Sequence, residues 1–181
     1  MTERVSSRLE RKLLLEERRR AGHRWRRLGA FCALAAALAL LLLFLLCFVW
    51  GVDVVQGDSM RPALCPGDIV LYDRLAKDYA PGDVAVFAYE GSDVIKRVAA
   101  SGGDTVDRSE GGGVLVNGEP FGGQAGQVEQ AVETPLTVPE GSLFVVGDNP
   151  SASKDSRYRE MGPVAREAVK GRVFLVLRGM G

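Results

Sequence analysis

The feature that most constrains this sequence is an uncharged run of 25 residues from Leu28 to Val52, dominated by Leu, Ala, Phe and Val. At about 1.5 Å per residue, a helix of this length crosses a hydrocarbon core of about 30 Å. A cleavable signal peptide would have a shorter apolar core and small residues at its cut site, whereas this run ends in "LLCFVWG". The run therefore predicts a retained membrane anchor over residues 28–52, with Trp50 at the interface.

The charges on the two sides of the anchor are unequal. Residues 1–29 carry ten Lys or Arg against four Asp or Glu, and residues 52–181 carry 13 against 19. The basic cluster "RRRAGHRWRR" lies directly before the anchor, so the positive-inside rule places residues 1–27 in the cytoplasm and residues 53–181 on the outer face. The acidic excess of the outer part argues against nucleic-acid binding. Helix formers at residues 6–20 predict a cytoplasmic helix.

Beyond the anchor, short apolar stretches alternate with Gly, Pro and Asn turns, a pattern typical of β-strands. Asn117-Gly118 indicates a hairpin, and the polar residues 122–135 predict a loop. The outer part is therefore predicted to be a mostly β domain, a compact bent sheet or partial barrel. Strands are predicted at residues 68–74, 83–90, 93–100, 111–123, 141–149 and 171–178.

The scarcity of histidine limits the chemistry of the outer part. The only histidine, His23, lies in the basic cluster, so residues 53–181 cannot contain a Ser-His-Asp triad or a His-based zinc site. Cys65 is the only cysteine outside the anchor, which excludes an internal disulfide there. A serine nucleophile in this part would need another base, and a desolvated lysine is one known solution.

Lys96 is a candidate for such a base. In a strand over "DVIKRVAA", Lys96 shares a face with Val94 and Val98, while Ile95 and Arg97 point the other way. An apolar face disfavours the ammonium ion, which lowers the pKa of the lysine and makes the neutral amine available. The alternative is a lysine that extends to solvent from the rim of the sheet.

Two polar segments could accompany this lysine. Residues 54–68, "VVQGDSMRPALCPGD", place Ser59 on a bend edged with Gly and Pro. Residues 145–164, "VVGDNPSASKDSRYREMGPV", follow a predicted strand, and in extended chain Asp155 and Arg157 would share a face. Such a segment can hold a polar network beside a reactive group, or it can be a solvated surface loop.

Taken together and in this order behind an anchor, these segments resemble the type I signal peptidase family, the membrane-anchored Ser-Lys leader peptidases. The stretches that carry the resemblance are "GDSMRPALCPGD", "PGDVAVF", "VIKRVAASGGD" and "GDNPSASKDSR". The short connection from Gly103 to Val145 resembles the small, single-anchor branch found in Gram-positive bacteria.

The resemblance implies a membrane-bound serine endopeptidase that removes signal peptides from exported preproteins, cutting after small residues. Ser59 would be the nucleophile and Lys96 the general base, and Ser153 would orient the lysine. The preproteins and the lipid bilayer would be its partners; no metal and no cofactor are implied, and nothing indicates the oligomeric state. Further supporting residues would be Asp155, Arg157, Gly147, Asp148 and Asn149, and pocket residues would be Val55, Met60, Leu64 and Ile95, with Val70 and Val86 as additional candidates.

Four positions depart from the family pattern. Gly57 stands where some members have a serine that helps to hold the oxyanion, Ala63 stands where Thr is frequent, and Pro150 stands where Arg is frequent. Four residues, 158–161, separate Arg157 from Gly162, where many relatives have two. These departures leave the second oxyanion donor and the shape of the last loop open.

Three other functions are alternatives to this interpretation as a signal peptidase. LexA-type self-cleaving repressors share a related Ser-Lys core, but the anchor argues against them. The sequence does not distinguish a general signal peptidase from a dedicated processing peptidase of a secretion or conjugation system. A non-catalytic, membrane-tethered β-domain is disfavoured because Ser59, Lys96, Ser153 and Asp155 are all present.

Overall fold

The computed structural model of the protein describes residues 29–122, 128 and 130–179. The chain divides into two compact units, Met1–Cys47 and Phe48–Gly181. The predicted cytoplasmic segment 1–27, with its helix at residues 6–20, lies outside the described residues.

The apolar run forms one helix, α1 (Gly29–Val49), which is long and apolar enough to cross a membrane. Its 21 residues correspond to about 31 Å at 1.5 Å per residue. The helix ends three residues before the apolar run does, and the chain continues directly as a strand from Trp50. Trp50 pairs with Asp73 in that strand, and its ring lies 5.8 Å from the ring of Phe174. Aromatic and β-branched residues favour strand conformation, which accounts for the change at this point.

The unit Phe48–Gly181 is built mainly from strands. In the part of it that the structure describes, the strands are β1 (Trp50–Val54), β2 (Ile69–Asp73), β3 (Val84–Tyr89), β4 (Ser92–Ser101), β5 (Thr105–Arg108), β6 (Val114–Val116), β7 (Glu119–Phe121), β8 (Leu136–Thr137), β9 (Ser142–Val146), β10 (Val164–Ala165) and β11 (Val169–Leu177). Two short 3₁₀ helices occupy Pro150–Ala152 and Arg166–Ala168.

The strands form two open antiparallel sheets. The larger has the order β1-β2-β11-β3-β4-β9-β10, and the smaller has the order β7-β6-β5-β8. The turn between β6 and β7 has positive φ at both central residues, 52° at Asn117 and 86° at Gly118, as a tight hairpin requires. The predicted mostly β fold is confirmed as two open sheets, and β1, β5, β8 and β10 lie outside the predicted strands.

Three buried clusters fill the space around the sheets. The first lies between β1, β2 and the bend that follows β1, the second lies on the other face of β4, and the third lies between the two sheets. β4 therefore has apolar packing on both of its faces, which is what excludes water from Lys96.

One face of β1, β2 and β11 remains exposed and apolar. Val54 pairs with Ile69, and Ile69 pairs with Leu177, so these three side chains form one row across β1, β2 and β11. The apolar side chains of this face are between 37% and 64% exposed. Its exposed apolar residues are Trp50, Val52, Val54, Ile69, Phe174, Leu175 and Leu177.

Candidate active site

Lys96 lies in the middle of β4 with only 4% of its surface exposed. Val98 belongs to the second apolar cluster and Val94 packs against it, whereas Ile95 belongs to the first. The alternation expected from the sequence is therefore present, and Lys96 is not at an exposed rim. Burial lowers the pKa of Lys96, because removal from water disfavours its charged form.

Ser59 lies on the bend between β1 and β2. Met60 and Leu64, the residues that follow it in the bend, are 1% and 4% exposed and belong to the first apolar cluster. The Leu64 N–H donates to the Met60 carbonyl at 2.8 Å, which closes the turn between them. These two side chains hold the bend against the core, while Ser59 stays partly accessible.

The bend and β4 bring Ser59 and Lys96 together. Ser59 Oγ and Lys96 Nζ are 2.6 Å apart, a hydrogen-bonding distance, although 37 positions separate them in the chain. A neutral amine at this distance can accept the hydroxyl proton as the oxygen attacks an electrophile. The arrangement is that of a nucleophile with an adjacent base.

A buried network surrounds Asp155, which has no exposed surface. Arg157 donates to both carboxylate oxygens, from Nε and Nη2, at 2.8 Å each. The Ser153 hydroxyl donates to Asp155 at 2.6 Å, and the Gly147 N–H donates to it at 2.8 Å. The hydrogen bond of Ser153 in the described residues thus runs to Asp155, whereas that of Lys96 Nζ runs to Ser59.

The network also affects Lys96 through its charge. The negative charge of Asp155 raises the pKa of Lys96 and the positive charge of Arg157 lowers it, both less than burial lowers it. The pair therefore supplies fixed buried charges next to the amine, and the direction of the pKa shift is still set by desolvation.

The turn from Gly147 to Asn149 fastens the bend to the sheet. The Asn149 N–H donates to the Ser59 carbonyl at 2.9 Å, and Asn149 Nδ2 donates to the Asp58 carbonyl at 3.1 Å. Asp148 accepts from Arg97 Nε at 2.7 Å and from Nη2 at 2.6 Å. Because Arg97 is adjacent to Lys96, this ion pair ties the turn to the strand that carries the lysine.

A backbone donor is available beside the nucleophile. In the parts of the chain that the structure describes, the Ser59 N–H donates to no hydrogen bond. Gly57, with φ 74°, offers no side-chain donor, and a Cβ placed there would meet nothing within 4 Å. The Ser59 N–H is therefore a donor that a developing oxyanion could use.

A cleft of about 450 Å³, here called the first cleft, opens beside Ser59 and Lys96. β4 pairs with β3 over residues 92–97, but pairs with β9 only from Arg97 onwards. The backbone edge of residues 92–96 is therefore free of strand pairing on the cleft side. The cleft is lined by Asp53, Val54, Val55, Gln56, Ser59, Met60, Ser92, Asp93, Val94, Ile95 and Lys96.

The structure divides the pocket residues expected from the resemblance into two groups. Val55, Met60 and Ile95 line the first cleft. Leu64, Val70 and Val86 lie in the apolar core behind it. Ser92 and Asp93 line the cleft without having been expected, because the pairing gap in β4 exposes that edge, and Val54 at the end of β1 also lines it.

Comparison with known proteins identifies the family. The sequence model of the family described as "Signal peptidase, peptidase S26" matches residues 25–178. The chain belongs to this signal peptidase family. The resemblance noted in the sequence is therefore confirmed, and membership in this peptidase family makes the protein a serine endopeptidase.

The sequences of two relatives agree with this family assignment. A probable signal peptidase I-1 of Synechocystis is 36% identical over 141 residues, which cover 67% of each chain. Signal peptidase I of Bacillus caldolyticus is 31% identical over 164 residues, covering 80% of this chain and 85% of its own. A crystal structure of a signal peptidase I from Enterococcus faecalis aligns with 54% of this chain and 98% of its own, with a TM-score of 0.44 and 28% identity.

Proposed function

We propose that the protein removes N-terminal signal peptides from exported preproteins, with Ser59 as nucleophile and Lys96 as general base. The observation that carries the proposal is the 2.6 Å separation of Ser59 Oγ from Lys96 Nζ, with the amine almost completely buried. Desolvation lowers the pKa of Lys96 and so favours the neutral amine, the form that can act as a base. Membership in the signal peptidase family supports the same substrate class.

The proposed reaction uses groups of this chain alone. Ser59 Oγ attacks the scissile carbonyl carbon as Lys96 Nζ takes the hydroxyl proton, and the Ser59 N–H stabilises the oxyanion. The C–N bond then breaks, and the Lys96 ammonium gives its proton to the leaving amine. Lys96 next takes a proton from a water molecule as its oxygen attacks the acyl carbon. The bond from that carbon to Ser59 Oγ breaks, and the Lys96 ammonium returns the proton to Oγ.

The network around Asp155 has a positioning role in this proposal. Ser153, Asp155 and Arg157 form a closed set of hydrogen bonds behind the amine. Through the Gly147 N–H, the same network holds the turn whose Asn149 binds the bend of Ser59. It therefore maintains the separation of the two reacting groups without contacting the substrate.

The first cleft would bind the residues before the cut. An extended peptide can form backbone hydrogen bonds with the free edge of residues 92–96. The apolar side chains of Val55, Met60 and Ile95 then form shallow pockets for the small residues at the first and third positions before the scissile bond. Leu64 packs in the core behind these pockets and supports their wall.

The topology that we propose is single-pass, with residues 1–27 in the cytoplasm, α1 in the bilayer and residues 53–181 outside. The exposed apolar face of β1, β2 and β11 suits the lipid interface. Protease added to the outside of right-side-out membrane vesicles should degrade residues 53–181. Protection of those residues until the vesicles are opened would contradict this orientation.

The function is tested with the full chain purified in detergent and a preprotein that carries an A-x-A cleavage site. We expect cleavage after the second alanine, as identified by N-terminal sequencing of the product, and retention of activity in a metal chelator. Ser59→Ala should abolish cleavage, whereas Ser109→Ala, a serine in the turn that follows β5, should cleave at the wild-type rate. Equal cleavage by Ser59→Ala, or inhibition by chelator alone, would refute the proposed mechanism.

A further inference from the structure

A second cleft, of about 390 Å³, also reaches the reacting groups. Its floor includes the apolar side chains of Val94, Ala152 and Met161. Its rim includes Asp58 and Glu90, together with Lys154. Ser59 and Lys96 line both clefts, so the nucleophile lies where the two meet.

The two clefts share five lining residues but differ in their other walls, and therefore in their uses. The shared residues are Gln56, Ser59, Ser92, Val94 and Lys96. A peptide that is cut within its chain must extend on both sides of the reacting carbonyl carbon. The apolar side chains of Val55, Met60 and Ile95 line the first cleft and not the second, so under the proposed function the first cleft takes the acyl side. The second cleft remains for the residues that follow the scissile bond.

The rim of the second cleft carries more acidic than basic groups. Lys154 pairs with Glu160 at 2.5 Å, and its Nζ lies 5.9 Å from the centre of the Tyr89 ring. Asp58 pairs with Arg61 at 2.5 Å. Among the described residues, Glu90 has no ion pair. Counting the ion-pair partners Arg61 and Glu160, three carboxylates stand against two paired cations and the buried Lys96, whose pKa is lowered by desolvation.

The segment that differs in length from the family pattern contributes to this wall. Residues 158–161 contain Glu160, which holds Lys154, and Met161, which lies on the floor. Glu90, with φ 49°, lies in the turn between β3 and β4 and also lines the cleft. Two loops outside the segments that carry Ser59 and Lys96 therefore contribute to the lining of the second cleft.

We propose that the second cleft binds the first residues after the scissile bond, and that Glu90 and Glu160 make it discriminate against an acidic side chain there. The proposal rests on the proposed function, because it requires Ser59 to cut a peptide that occupies both clefts. Repulsion between the rim carboxylates and a substrate carboxylate raises the barrier for acidic leaving peptides relative to their amide counterparts.

The experiment uses the full chain in detergent at low ionic strength. Fluorogenic peptides share one A-x-A site and differ by Gln or Glu at the first, second or third position after the cut, one position at a time. At one position or more, we expect kcat/KM of the Gln peptide to be about three times that of the Glu peptide. This is the size typical of partly exposed charge interactions. The ratio should fall towards one at about 1 M salt.

Matched variants assign the effect to the cleft. Glu90→Gln with Glu160→Gln should bring the Gln-to-Glu ratio close to one, whereas Glu119→Gln, an exposed glutamate of β7, should leave it unchanged. A ratio of one in the wild type at all three positions, or a ratio that persists in the double variant, overturns the proposal while leaving the dyad intact. Cleavage that survives Ser59→Ala would instead refute the proposed function.

Discussion

Lys96→Met is expected to lower kcat by about 10⁴-fold, the scale associated with loss of a general base. Methionine has nearly the shape of lysine and keeps the apolar contacts between Val94 and Val98, but it cannot accept the proton of Ser59. Activity of the wild type should rise with pH through the lowered pKa of Lys96, because only the neutral amine is a base. Both measurements use steady-state kinetics on one A-x-A substrate.

The same variant should be more stable than the wild type at neutral pH. Since burial lowers the pKa of Lys96 in the folded protein, the unfolded chain binds more protons between that pKa and about 10.4, the ordinary value for lysine. Proton uptake by the unfolded chain lowers the free energy of unfolding of the wild type in this range. The advantage of Lys96→Met is therefore greatest below the folded pKa and disappears as the pH rises past about 10.4.

Lys170→Met provides a control for these effects. Lys170 is partly exposed and paired with Asp93, and the pKa of Lys170 is raised by that hydrogen bond. Replacement of Lys170 removes a cation that the folded protein stabilises. Lys170→Met should therefore be less stable than the wild type at neutral pH, the opposite of Lys96→Met. If Lys96→Met kept kcat within tenfold of the wild type, Lys96 would not be the base. If it unfolded more easily at pH 7, desolvation would not dominate its energetics.

Gly147→Ala is expected to reduce kcat/KM by about 100-fold, because a displacement of about 1 Å can have this effect on catalysis. A Cβ at this position would lie 2.6 Å from the Ser59 carbonyl oxygen and 2.5 Å from the Ser153 Cβ. Contacts this short force either the bend or Ser153 to move, and both determine the position of the dyad. Overpacking of a buried site also destabilises by about 1–3 kcal/mol, which thermal unfolding would detect.

Gly111→Ala is the matched control for this substitution. Gly111 has no positive φ, and a Cβ there would meet nothing within 4 Å. Its kcat/KM and melting temperature should equal those of the wild type. Wild-type kcat/KM in Gly147→Ala would show that the turn does not set the position of Ser59.

Local patterns in the sequence were sufficient to predict several features. The alternation around Lys96 predicted its apolar neighbours, because strand periodicity depends only on adjacent residues. The absence of histidine after His23 required a base other than histidine. The hairpin at Asn117-Gly118 was predictable because two consecutive positive φ angles favour these residue types.

Contacts between distant segments could not be predicted in this way. The Arg97–Asp148 pair joins residues 51 positions apart, and the strand order places β11 between β2 and β3. The change from helix to strand at Trp50 lies within one apolar run, where composition does not separate a buried strand from a membrane helix.

The amino-acid sequence was enough to predict the apolar helix and the β character of residues 53–181, since both depend on residue type or local periodicity. Ser59 and Lys96 were predicted as a pair only through the resemblance to the signal peptidase family. Only the tertiary structure decided that the hydrogen bond of Ser153 runs to Asp155, that Leu64 lies behind the first cleft, and that a second cleft meets the first at Ser59. These features depend on how strands far apart in the chain pair and where pairing stops, and such long-range packing has no counterpart in the order of neighbouring residues.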